Sequence, residues 1–467
     1  MKKLLLLSLL TGVVFADPTI LQAKYKDITI NGKKVKVMTI EQPDGTWGYY
    51  GKAGDNFDVV LQNKLDESTV IHWHGLFLPN DQDGTELTQD YIPPGAEYHY
   101  IFKLENTGTY WMHSHYELQV QELLAAPLII ESADDSKYQQ VVVMFQDYSD
   151  KPAKQIMQGL MSLDNDAHSM HGNMDMSGME HGDMGMSDMH DMSGMDMDLN
   201  DVTYSAYLTN YHDDSSPQIT QVKAGDQVKL RFINGSSSSN FWINLGKLKG
   251  SLVAVDGAPI KPITDNKFQL AMGQRSDVIV TIPKTGGNFP ILGQVEGLKN
   301  QTGLILTTDK KAKKLKIPTN ASKVAPALNY DEEFKLHSIE SLSFDTPDQV
   351  YQFKLTGDMN KYEWAINDQM WPNVTPIKIK HGEKVEFVFD NQTMMSHPMH
   401  LHGYNFKVVS IDGKKVDGAM RDTVMVMPNS TVKVEFVADK DGKWFIHCHN
   451  LYHNMAGMMT YIEVVPN

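Results

Sequence analysis

Two short histidine motifs recur, in the same order, at opposite ends of the 467-residue chain. Near the start, His72-Trp73-His74-Gly75 is followed by Gly108-Thr109-Tyr110-Trp111-Met112-His113-Ser114-His115. Near the end, His400-Leu401-His402-Gly403 is followed by Gly442-Lys443-Trp444-Phe445-Ile446-His447-Cys448-His449. A matched pair of this kind requires two related domains, one at each end, with different material between them.

Pleating turns the motifs into chemistry. In a strand, residues i and i+2 share a face and i+1 points to the other. Each His-x-His pair therefore sets two imidazoles side by side. Four pairs occur, His72/His74, His113/His115, His400/His402 and His447/His449. One such pair arises easily by chance as unrelated surface histidines. Four in matched contexts point to eight imidazoles meeting across a domain interface to hold several metal ions.

Cys448 is the only cysteine, so no internal disulfide exists. A leftover thiol is ordinarily a small buried hydrophobe. This one lies between His447 and His449, with His453, Met458 and Met459 following. It points away from its flanking histidines and needs a site of its own. Two histidines, one thiolate and a weak axial Met make a blue-copper electron-transfer site, and His397, Cys448, His453 and Met458 supply that set. Ser114 occupies the matching position in the first repeat, so the two domains do different work. His447 and His449 flank Cys448 covalently, giving a short bonded path from the thiolate to the cluster behind it. A purely structural metal has no use for such a path.

The remaining sequence reads as all-β. Asp58-Val-Val-Leu-Gln, Gln140-Val-Val-Val-Met, Gln227-Val-Lys-Leu-Arg-Phe and Thr431-Val-Lys-Val-Glu-Phe are short runs rich in β-branched residues. Long helical periodicity is scarce, which predicts stacked β-sandwiches with Greek-key connections. The net charge of −16 repels phosphate backbones and argues against nucleic acid as a partner. Lys2, Lys3, the apolar run Leu4 to Phe15 and a small-residue site at Ala16 read as a Sec-type signal peptide over 1–16. That run is shorter than the roughly 20 residues of a membrane span. No later segment is apolar enough either, so an exported, periplasmic protein is expected.

Taken together, His72-Trp-His-Gly, Trp111-Met-His-Ser-His, His397-Pro-Met-His-Leu-His-Gly and His447-Cys-His with His453 and Met458 resemble the four copper signatures of three-domain multicopper oxidases. Asn210-Tyr-His-Asp-Asp, Lys229-Leu-Arg-Phe-Ile-Asn-Gly-Ser and Tyr452-His-Asn-Met-Ala-Gly-Met458 resemble the bacterial copper-resistance and cuprous-oxidase branch. The resemblance covers nearly all of the mature chain. It implies three cupredoxin-like Greek-key β-sandwich domains, placed at 17–132, 133–312 and 325–467.

It also implies a role for each matched residue. His397, Cys448, His453 and Met458 would hold a type 1 copper that takes electrons from substrate one at a time. His72 and His400 would hold a type 2 copper. His74, His113, His115, His402, His447 and His449 would hold two type 3 coppers, making four copper ions in all. Dioxygen would be reduced to water at the three-copper cluster. Asp83 matches an acidic position beside that cluster, although Asn80-Asp-Gln-Asp83-Gly84 also reads as a plain loop. One departure stands out: where many relatives carry a Glu directly after the equivalent of His453, this chain has Asn454, which cannot supply a proton. Either Asp83 and water carry the relay, or another acid substitutes.

Between 157 and 197 the chain holds Met161, Met170, Met174, Met176, Met179, Met184, Met186, Met189, Met192 and Met195. His168, His171, His181 and His190 lie among them. Gly, Ser and Asp fill the gaps, so no apolar face forms and the stretch reads as an insertion in the middle domain. An inert linker would not favour oxidisable thioethers. Thioether and imidazole together select Cu(I). Met394, Met395 and Asp390, close to His397, form a candidate docking site for substrate copper, the alternative being a Met-lined wall that packs the metal site. His99, His212, His337 and His381 lack partners at ligand spacing.

The expected activity is oxidation of Cu(I) to Cu(II) by dioxygen, in a monomeric exported enzyme. Phenols, aromatic amines and ferrous ion are alternative reductants, because electron loss across a short gap asks little of substrate shape. An exported copper storage or delivery protein is the alternative outside enzymes, weakened by the wired Cys448. A two-domain nitrite reductase lacks the four paired motifs.

Overall fold

The computed structural model describes residues 17–162, 199–339, 342 and 346–466. The expected signal segment 1–16 and residues 163–198 of the Met-rich stretch lie outside them.

The all-β expectation holds: the described chain forms six sheets that pair into three successive sandwiches. In the first, the sheet containing Asn56–Asn63 faces the sheet containing Ile71–His74 and Gly108–Ser114. In the last, the sheet containing Thr431–Val437 faces the one containing His397–Leu401 and Gly442–Cys448. The middle pair has six and five strands.

Outer strands show the pattern of a half-buried sheet. Along Asn56–Asn63, Phe57, Val59 and Leu61 point into the core and alternate with partly exposed residues. Val432, Val434 and Phe436 do the same along Thr431–Val437. The strands that carry the histidines break this rule. Ile71–His74 and His397–Leu401 are buried at every position. One face packs into its own sandwich and the other meets a neighbouring domain, so neither face is left for water.

The internal repeat extends to strand register. His72 lies opposite His113 in an antiparallel pair of strands, and His400 lies opposite His447 in the other. Met399 lies opposite Cys448, one residue along and therefore on the other face.

After Gly442–Cys448 the chain turns into a short helix, Leu451–Met455. Asn450 caps it, its side chain accepting the backbone N–H groups of Tyr452 and His453. This cap returns His453 to the Cys448 side of the sheet. Among the described residues, no helix is long and apolar enough to cross a membrane.

Candidate metal centre

The two end sandwiches turn their histidine faces toward each other. The rings of His74 and His400 stack with centroids 3.7 Å apart, and those of His72 and His402 at 3.8 Å. All eight paired histidines thus meet in one cluster, between the first sandwich and the last.

Neighbouring acceptors decide which ring nitrogen bears the proton. The Nδ1–H groups of His72, His113, His400 and His447 donate to the backbone carbonyls of Asp83, Ser114, Asp422 and Cys448, at 3.0, 3.0, 2.8 and 2.9 Å. His402 Nδ1–H donates to Asp83 Oδ2 at 2.9 Å, and His115 Nδ1–H to Glu86 Oε2 at 3.2 Å. Carbonyl and carboxylate oxygens only accept, so every one of these imidazoles presents a bare Nε2. His74 is reversed: its Nε2–H donates to Asp422 Oδ1 at 3.1 Å, which leaves Nδ1 bare.

The bare nitrogens converge. His72 Nε2 and His400 Nε2 are 3.5 Å apart, and His402 Nε2 and His447 Nε2 are 3.0 Å apart. His74 Nδ1 faces His449 Nε2 at 3.3 Å. The Nε2 atoms of His113 and His115 are buried without any hydrogen-bond partner. Lone pairs at such distances repel unless a cation lies between them. Protons do not fill the gaps: burial, reinforced by the neighbouring imidazoles, holds His74, His113, His400, His402 and His447 well below the usual histidine range. Burial takes His449 down to about 3. Ligand atoms within 4.8 Å of one another form the sets His74/His113/His449, His115/His402/His447 and His72/His74/His400.

A second site lies on the opposite face of Gly442–Cys448. Cys448 Sγ is 3.6 Å from His397 Nδ1 and 3.7 Å from His453 Nδ1. The outer nitrogens are again committed. His453 Nε2–H donates to Asp201 Oδ2 at 2.9 Å, and His397 Nε2–H to the Thr393 hydroxyl at 2.8 Å. Thr393 Oγ in turn donates to Asn391 Oδ1. Met458 is fully buried, and its carbonyl accepts the Cys448 N–H at 3.0 Å. Burial raises the Cys448 thiol far above its usual range, so only a bound cation would make it a thiolate. Soft sulfur with two imidazole nitrogens is a donor set that fits copper.

Asp83 is buried between the sites of His72 and His402. Its Oδ1 has no hydrogen-bond partner and lies 3.3 Å from His72 Nδ1. A cavity of about 190 Å³ reaches the cluster from outside, its walls including Glu86, Glu117, His115, His449 and Asn454. Met394 is exposed (51%), with its Sδ accepting from Asn429 Nδ2 at 3.4 Å. Met395 departs from the docking expectation. It is only 6% exposed and packs in the hydrophobic core, so its thioether does not face solvent. The Asp390 carboxylate is occupied by Gln392 Nε2 and Thr431 Oγ1. His99 and His381 pair with Asp58 and Asp441 near the surface, away from the two sites.

Asp201, Asp422, Glu86 and Thr393 belong to the sites and carry no signal in the sequence. Asp201, Asp422 and Glu86 reach a histidine by tertiary contact, and Thr393 reaches His397 within one turn of chain.

Sequence models described as multicopper oxidase match residues 22–135, 139–311 and 345–467. The multicopper oxidase MmcO of Mycobacterium tuberculosis is 31% identical over 418 residues, 88% of this chain and 80% of the relative. Copper resistance protein A of Escherichia coli is 26% identical, covering 95% of this chain and 93% of the relative. Among solved structures, Fet3p, a multicopper oxidase that functions in iron import, superposes with a TM-score of 0.78 at 20% identity, covering 95% of this chain and 90% of that one.

Proposed function

The chain belongs to the multicopper oxidase family, and from that premise we propose that it oxidises Cu(I) to Cu(II), passing the electrons to dioxygen, in an exported protein that protects against copper. His397, Cys448, His453 and Met458 would hold the type 1 copper, His72 and His400 the type 2 copper, and the sets His74/His113/His449 and His115/His402/His447 one type 3 copper each. Bound there, the four ions would supply one-electron acceptance at the Cys448 site and four-electron reduction of dioxygen to water at the cluster. The observation that carries the assignment is the set of facing, unprotonated imidazole nitrogens, which only cations can reconcile.

The chain's own groups divide the remaining work. Cys448 and the two histidines bonded to it through the backbone connect the faces of one strand. Asp83 orients His402 and keeps Oδ1 free, an atom placed to hold a proton beside the cluster. Asn454 lines the cavity without an acidic proton; of the two glutamates in the walls, Glu86 and Glu117, Glu86 is the one hydrogen-bonded to His115.

Cu(I) as substrate is supported by the surroundings of the type 1 site. Asp201, Asn450 and Tyr362 close over the outer edge of His453, whose side chain is fully buried. An organic reductant therefore has no direct contact with that imidazole. Met394, next in sequence to the Thr393 that holds His397, offers an exposed soft donor instead. The Met-rich stretch 157–197 would gather cuprous ions. The relative named for copper resistance is matched over 95% of this chain and 93% of its own length.

Dioxygen uptake by copper-loaded protein supplied with Cu(I) tests the reading. Uptake well above the uncatalysed rate, reduced by deletion of 157–197 while phenol oxidation persists, is the expected result. Tight copper binding without uptake would leave storage or delivery. Uptake with phenols or ferrous ion alone would assign a laccase or ferroxidase role.

A further inference from the structure

The middle sandwich contributes none of the proposed ligands, yet one of its side chains reaches the cluster. Arg275 is fully buried at the junction of all three sandwiches. Its Nη1 and Nη2 donate to Asp422 Oδ1 and Oδ2 at 2.7 and 2.5 Å, a two-pronged grip on a carboxylate of the last sandwich. Its Nε–H donates to the carbonyl of Thr109 in the first, at 3.1 Å. The oxygen held by Nη1 is the one that accepts from His74 Nε2–H. Asp422 thus joins an arginine of the middle domain to a histidine of the first, and its own backbone carbonyl orients His400.

The junction is built to hold this arginine. Arg275 N–H donates to Asp256 Oδ1 at 2.9 Å, and Asp256 Oδ2 accepts from Arg421 at 3.0 Å. The guanidinium lies over the Tyr110 ring, 5.7 Å from its centroid. Gly75, the glycine of the first His-x-His-Gly motif, makes room for it. A Cβ there would stand 2.3 Å from Arg275 Nη2 and 2.6 Å from Asp422 Oδ2.

We propose that Arg275 is a positioning residue for the type 3 copper pair: by fixing Asp422 it keeps His74 in the reversed orientation, Nε2–H outward and Nδ1 toward the cluster. A shift of the proton to Nδ1 would exchange donor and acceptor, leaving a lone pair against a carboxylate and an N–H against the metal. The fork geometry is essential, since lysine carries the charge but cannot span both carboxylate oxygens. This inference rests on the copper assignment proposed above.

Arg275→Lys, loaded with copper, tests it by spectroscopy. The coupled cupric pair gives a near-ultraviolet band and is silent in EPR. The variant should lose most of that band and show a larger EPR-visible share of its copper, while the blue type 1 absorption stays. Arg231→Lys is the control. Arg231 is also a buried arginine of the middle sandwich that touches Thr109, but it grips Asp135 and Asp277 rather than Asp422. It should keep the band even if the protein melts earlier. A wild-type band in Arg275→Lys, or equal loss in Arg231→Lys, overturns the inference. If Arg275→Lys does not accumulate folded, Asp422→Asn, which keeps the shape but removes the charge that Arg275 grips, is read the same way. Retention of the band in that variant also overturns it. Wild-type protein without any such band would instead sink the copper assignment itself.

Discussion

His397 Nδ1 and His453 Nδ1 face each other across 3.1 Å in a fully buried pocket, and each ring has already committed its other nitrogen, to Thr393 and Asp201. Cys448 Sγ shares the space with them, 3.6 and 3.7 Å from the two nitrogens. Replacing that sulfur removes the thiolate and nothing else of the pocket. Cys448→Ser should therefore lose the blue absorption and all turnover, while metal analysis finds the cluster copper retained. Collapse of the fold would show Cys448 to be a packing residue.

Of the two glutamates on the cavity wall, Glu86 is the one that touches a cluster histidine, His115, while Asn454 offers no carboxylate there. If it delivers protons, Glu86→Gln should slow steady-state dioxygen reduction by about 10²-fold, the lower range for loss of a positioned acid or base. Anaerobic bleaching of the blue band by reductant should stay at the wild-type rate. Slowed bleaching would place the defect on the electron side instead.

Met394→Leu keeps the size of an exposed side chain and removes its sulfur. KM for Cu(I) should rise several-fold while kcat for a small aromatic reductant is unchanged. Equal effects on both substrates would mean that Met394 has no role in choosing the reductant.

The copper-free protein should lose stability in acid. Burial holds the folded pKa of His449 near 3, against about 6.5 for an unfolded histidine, and His74, His113, His400, His402 and His447 shift the same way. The unfolded chain thus binds more protons, so the stabilisation is complete above about pH 6.5 and is lost as pH falls toward 3. A steady fall in the thermal midpoint of the copper-free protein across that window is expected. A flat profile would show that the cluster opens to solvent without copper.

Gly75→Ala forces a side chain onto a backbone with φ of +90° and into the Arg275–Asp422 pair. A cost of at least 1–3 kcal/mol for the strained backbone alone is expected, measured by denaturant unfolding.

The ligands were legible because strand pleating writes them into the sequence. His-x-His fixes two side chains on one face, and a matched repeat leaves little room for chance. Their supporting groups were not legible. Asp422 reaches His74 across 348 positions, and Asp201, just past the Met-rich stretch in the middle of the chain, reaches His453 near its end. Such contacts are set by how domains dock, which no local spacing encodes. Met394 and Met395 show the same limit at closer range. Adjacent in sequence, they point to solvent and to core, and only the surrounding fold decides which does which.

The strand Gly442–Cys448 has Cys448 on one side and His447 and His449 on the other, with Met399 and His400 continuing the division on the next strand. Under the proposed ligands, that sheet is a partition between two chemical compartments, one meeting the reductant and the other the oxidant. Each side can change without the other. The exposed chain around Met394 can be recast for a new electron donor, in nature or by design, provided Thr393 and Asp201 keep their hold on His397 and His453, while the oxygen chemistry is left untouched.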